Sequence, residues 1–192
     1  NNQTPRGTAA FIGGAAVEAG RHVDVSARRT VNADILAGAA AGGALGLGAG
    51  IGIVNVSGST QAYILGTGRA NAAGNILVSA HTDATGTVDT YVGTGGIVAV
   101  NAALAIYNDT ASTSAYLGDG GVIDRADQVD INATGLHTVT AHTFGVSVGA
   151  AAGGLSLAKA RVAGTIDALV GEDARIGQDS RNAGDTVGSL SV

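Results

Sequence analysis

Ser79, His81 and Asp83 stand at i, i+2 and i+4 in "SAHTD", the three residue types of a nucleophile, its base and the acid that orients the base. On a β-strand such positions share one face. Successive members then lie ~7 Å apart, whereas a working triad needs contacts of ~3 Å. The positions 53 residues away hold Ser26, Arg28 and Thr30 on one side and Asn132, Thr134 and Leu136 on the other. The trio therefore reads as the polar outer face of a strand. No catalytic residue is assigned, and the chain is expected not to be an enzyme.

A second acidic group is Asp119, Asp124, Asp127 and Asp130 in "GDGGVIDRADQVD". Paired carboxylates can cleave polysaccharides as acid and base, which makes a β-helical lyase or hydrolase the enzymatic alternative. Gly/Asp turns can also hold calcium, but the spacing misses the nonapeptide pattern and does not recur. These residues read as solvated turn carboxylates. The histidines, His22, His81, His137 and His142, do not pair at metal-ligand spacing, and there is no cysteine. No metal and no cofactor is expected. Asn55-Val56-Ser57, Asn108-Asp109-Thr110 and Asn132-Ala133-Thr134 are N-x-S/T sequons. Asn55 and Asn108 are 53 apart and are the candidate glycosylation positions.

The elements that must carry these residues emerge from an internal repeat. Ala62, Ala115 and Ala168 are 53 apart, and so are Tyr63, Tyr116 and Leu169. A second motif keeps the step: "VDVSA" (Val23–Ala27), "ILVSA" (Ile76–Ala80) and "VDINA" (Val129–Ala133). About three and a half copies make one segment over 1–192, with phases 11–62, 63–115, 116–168 and a partial 169–192. Within each copy apolar and polar positions alternate, as in Val23, Val25 and Ala27 against His22, Asp24 and Ser26. Period two is a strand signature, so the chain reads as all-β, a solenoid of stacked rungs. A 53-residue unit is long for one coil of a small solenoid, so two or three coils per repeat are expected.

"GALGLGAGIGIV" shows the alternation most sharply. Leu45, Leu47, Ile51 and Ile53 alternate with Gly46, Gly48, Gly50 and Gly52. The matching small positions of the next copy are Ala99, Asn101, Ala103 and Ala105. The large row is expected to fill the interior, and the small row to form a smooth outer face for lateral assembly. The stretch Ile35–Val54 has the ~20 apolar residues of a membrane helix. Its equivalents, however, carry Asp89 and Asn101 in one copy and His142 and Lys159 in the other, and seven of its own residues are glycine. It reads as strand, without membrane insertion.

Composition sets the remaining bounds. With 32 glycines, one proline and 3% aromatics, the core must be thin. Charged residues are 13% and apolar ones 45%, which argues against disorder. The net charge is −5 and there is no basic run, so nucleic acid is not an expected partner. "NNQTPRG" is no signal peptide, and the chain reads as an excerpt of something longer, with no evident cap to prevent head-to-tail stacking.

The motifs also carry a resemblance. Ala62-Tyr63-Ile64, Gly66, Gly68, Ala73-Gly74 and Val78-Ser79-Ala80, with Val54-Asn55 closing the preceding glycine-rich strand, resemble the repeats of large bacterial exoproteins. These are the filamentous-haemagglutinin-like and leukotoxin-like adhesins. The second copy keeps Ala115-Tyr116-Leu117-Gly118. The last departs from the pattern, with a polar insertion in "GQDSRNAGDTVGSL". The resemblance implies a right-handed parallel β-helix, export to the bacterial cell surface and a role in adhesion. The expected function is a stiff structural or adhesive segment of an extracellular filament, with self-association, a host surface or a glycan as partner. A self-polymerising fibre subunit is the alternative.

Overall fold

A computed structural model describes residues 7–177 and 186–192. Among these residues there is no helix; strands joined by short turns account for the architecture. The first repeat supplies β1 (Gly7–Ile12), β2 (Ala16–Ala19), β3 (Val23–Gly42) and β4 (Leu45–Val56). The second supplies β5 (Ser59–Ile64), β6 (Arg69–Ala72), β7 (Ile76–Gly95) and β8 (Val98–Asp109). The third supplies β9 (Ser112–Leu117), β10 (Val122–Ile123), β11 (Ala126–Val148) and β12 (Ala151–Val162). β13 (Ile166–Val170), β14 (Arg175–Ile176) and β15 (Val187–Ser191) begin a fourth.

Each strand pairs in parallel with its counterpart one repeat away. The four sheets run β1-β5-β9-β13, β2-β6-β10-β14, β3-β7-β11-β15 and β4-β8-β12. Ile76 lies between Val23 and Val129, and Leu104 between Ile51 and Leu157, so the 53-residue step of the sequence is the register of the sheets. The expectation of two or three coils per repeat is not met: the strands pair one repeat away, and each full repeat adds one strand to each of the four sheets. The length goes into the strands themselves, 20 residues in β3 and 12 in β4. At β15 the step widens, with Val187 opposite Ala126, a spacing of 61 where 53 is the rule. Most of the polar insertion, 178–185, lies outside the described residues.

Two cores result. The first fills the space between the two short-strand sheets and the start of the long-strand sheet; Ile64, Ile76, Val78, Leu117, Ile123 and Val129 have no exposed surface. The second, around Val54, Val88, Ala105 and Tyr107, lies where the ends of β4 and β8 meet the middle of the long sheet. Between them and the turns the molecule is a thin slab. β3 ends at Gly42, Gly43 takes a φ of 136° that favours glycine, and β4 runs back against the far half of the long sheet.

That slab corrects the reading of the glycine row. Gly46, Gly50 and Gly52 are buried, and Gly48 lies on the same inward row. Ala99, Asn101, Ala103 and Ala105 are buried as well. They do not form an outer assembly face. A Cβ on Gly48 would sit 2.7 Å from Thr94 Cγ2 and 3.0 Å from Val92 Cγ1. On Gly50 it would sit 2.8 Å from Thr90 Cγ2 and from Val92 Cγ2, and on Gly52 2.7 Å from Val88 Cγ1. The glycines let two sheets approach closely, and the interior of the slab is filled by β7's Val and Thr instead. Leu45, Leu47, Ile51 and Ile53 consequently face outward. Ile35–Val54 forms parts of two strands and their turn. No helix of the structure is long and apolar enough to cross a membrane.

Candidate interaction faces

The residues with catalytic chemistry are separated by the stacking. Ser79 Oγ donates to Ser26 Oγ at 3.1 Å, and His81 Nδ1 hydrogen-bonds with Thr134 Oγ1 at 2.7 Å. Both bonds run along the stack to the repeat-equivalent residue. Asp83 joins neither, and its Oδ1 is buried without a hydrogen-bond partner. "SAHTD" therefore builds three separate ladder positions and no triad.

The acidic group is likewise dispersed. Asp124 is buried, which corrects its reading as a solvated carboxylate. Arg69 Nε lies 2.9 Å from its Oδ2. Asn71, directly below it in the stack, accepts from the Asp124 backbone N–H at 2.9 Å and donates to Glu18 at 2.8 Å. Asp119 accepts from the Glu172 N–H at 3.0 Å, and Asp130 accepts from Gln128 at 2.8 Å. Hydrogen bonding holds three of the four as parts of the framework. Among the described residues no three His, Asp or Glu side chains converge as metal ligands would.

Sequence reasoning missed one buried polar pair. Asp109 has no exposed surface; its carboxylate meets His137 Nδ1 at 2.6 Å and accepts from the Ala111 N–H at 2.9 Å. The equivalents of Asp109 are Val56 and Val162, and those of His137 are Ala84 and Val31. The pair thus replaces apolar contacts in one coil. Beside it Tyr107 is fully buried, with its hydroxyl unpartnered. Burial, then the Asp109 and Asp34 carboxylates, raise its pKa above the ordinary value. Gly86 makes room for it: a Cβ there would lie 2.5 Å from the Tyr107 hydroxyl.

The outer faces carry four distinct surfaces. Asn108 Nδ2 donates to Asn55 Oδ1 at 3.0 Å, so the two sequon asparagines form one ladder along the edge of the β4-β8 face. Phe11, Tyr63 and Tyr116 stack with centroids 5.2 and 4.8 Å apart on the first sheet. Tyr116 has a raised pKa through burial and then the neighbouring Tyr63. The long sheet is mixed outside, with Arg28, Asp34, Asp89 and His142 on its outward rows beside the exposed Leu36, Tyr91, Leu136 and Phe144. The sheet β4-β8-β12 is aliphatic outside. The sequence holds one signal for its phase: Asn55, an edge residue, shares odd parity with Leu45 through Ile53, whereas Val54 and Val56 share parity with the glycines. Asn101, a polar residue on the small row, pointed the other way; it is buried, donating to Ser147 Oγ at 2.9 Å.

Against this geometry, no protein-family model, no curated protein and no solved structure matches the chain.

Proposed function

We propose that the chain is a segment of a right-handed parallel β-helix within a long extracellular bacterial filament or adhesin, and that it works as a stiff scaffold. The observation that carries this reading is the 53-residue register, which the strand pairings keep from β2 to β14; β1 with β5 stands at 52 and β11 with β15 at 61. In such a stack each coil contacts only its neighbours, so stability accumulates with coil number, and added repeats extend an object without altering it. Side-chain ladders at Ser26–Ser79, Asn55–Asn108 and Tyr63–Tyr116 stiffen it along the axis. The resemblance to filamentous adhesin repeats supports the extracellular and adhesive part. The separate partners of Asp119, Asp124 and Asp130 favour this reading over polysaccharide cleavage.

Two measurements test the two parts. Arrays lengthened by whole 53-residue copies, imaged by electron microscopy, should grow by ~4.8 Å per copy; growth of two or three times that value would remove the single-coil scaffold. Display of the segment on a non-adherent bacterium should raise attachment to epithelial cells or immobilised glycans. Attachment no better than that of the parent strain would remove the adhesive role and leave the scaffold standing.

A further inference from the structure

We infer that the outer face of the sheet β4-β8-β12 is an isologous interface on which a second copy of this chain docks face to face. The face is built from side chains that the close approach of the two slab sheets forces outward. Leu45, Leu47 and Ile51 are 60%, 62% and 63% exposed, and Val100, Leu155 and Leu157 are 45%, 72% and 56% exposed. Before the asparagine row, every outward position of β4 and β8 is aliphatic. The opposite face of the same slab is mixed: Asp34, Asp89 and His142 stand among the exposed Leu36, Tyr91 and Phe144. The β4-β8-β12 side carries the longer uninterrupted aliphatic rows.

The exposed aliphatic side chains of this sheet amount to roughly 800 Å², which is what one partner contributes to a standard-size protein interface. Monomeric proteins seldom leave so large a contiguous apolar patch on the surface. Charge selects the occupant. The chain carries −5 overall, yet β4 and β8 present no charged residue on this face and β12 presents only Lys159 and Arg161 at its end, so a two-fold copy centred on β4 and β8 brings no like charges together. A lipid surface is disfavoured, because only Lys159 and Arg161, both at the end of β12, could meet anionic headgroups. The geometry also suits a copy of itself. The outward rows recur at the ~4.8 Å spacing of the strands, and two sheets pack ~10 Å apart with their side chains interdigitated. The interface depends on the stacked sheets alone and stands apart from any adhesive role.

Sedimentation equilibrium of the 192-residue chain tests it. The expected result is a monomer–dimer equilibrium that Ile51→Lys, at the centre of the face, weakens about 100-fold. Thr138→Lys, exposed on the outer face of the long sheet, should leave it unchanged. Circular dichroism of both variants should match the wild type, since both side chains point outward. A chain that stays monomeric at ~100 μM, or association that survives Ile51→Lys, overturns the inference; the latter result would assign assembly to the strand edges. Flotation of a monomeric chain with phosphatidylcholine vesicles would overturn it in favour of a membrane surface.

Discussion

Gly50 has its role fixed by two methyl groups, Thr90 Cγ2 and Val92 Cγ2, each 2.8 Å from where a Cβ would stand. Both belong to β-branched side chains with little freedom to move aside. Gly50→Ala should therefore destabilise the fold by about 1–3 kcal/mol, read as a lower urea midpoint. An outward glycine would tolerate the same change, so an unchanged midpoint would return the glycine row to the surface. Tyr107 gives the opposite sign. Its hydroxyl is buried without a partner, and Tyr107→Phe removes that group at little packing cost, with an expected gain of about 1 kcal/mol. The same tyrosine gives the fold an alkaline limit. Its folded pKa is raised above the ordinary value of 10.0, so the unfolded chain loses that proton first. Stability is complete below about pH 10 and falls as pH rises towards the folded pKa. Tyr116 acts in the same direction. Melting curves from pH 9 to 12 should fall less steeply in Tyr107→Phe than in the wild type.

Between strands, the energetics lie in the ladders. Asn71 joins three rungs: its carbonyl oxygen accepts from Asp124 N–H, and its amide donates to Glu18. Asn71→Ala leaves a buried N–H and Asp124 with fewer partners, and should cost about 2–3 kcal/mol in chemical denaturation. The Asp109–His137 pair is the case where neighbouring rungs supply the replacement. Val56 and Val162 flank Asp109, and Val31 and Ala84 occupy the equivalents of His137. Truncating one partner strands the other in an apolar layer. The single changes Asp109→Val and His137→Val should therefore each destabilise, while the double change should be neutral or stabilising by about 1–4 kcal/mol. A double-mutant cycle in urea reads the coupling directly.

As a whole molecule the chain is modular in units of one 53-residue repeat. Removing residues 63–115 joins Ala62 to Tyr116 in the register that Ala115 and Tyr116 hold now. The shortened chain should fold with a β spectrum and a denaturant m-value lower by about a quarter, in proportion to the surface lost. Removing 63–88 instead deletes about half a repeat and puts a long strand where a short one must pair. It should show no cooperative transition. If half a repeat proves as dispensable as a whole one, the single-coil repeat is wrong.

The sequence by itself determined the strand content and the repeat length. Alternation at Val23–Ala27 is a local property, and residues 53 apart match because they stack; both are written in one dimension. Tertiary structure decided which side of the alternation is inside. Period two defines two faces and is silent about which one is covered. The usual inference that Leu and Ile go inward fails for β4, because the turn at Gly43 presses it against a sheet whose Val88, Thr90 and Val92 already fill the gap. Only residues without side chains fit there, so the leucines are left outside. The number of coils per repeat was likewise undetermined, since it depends on how far a 20-residue strand runs before the chain turns. That length is set by contacts with the neighbouring rungs.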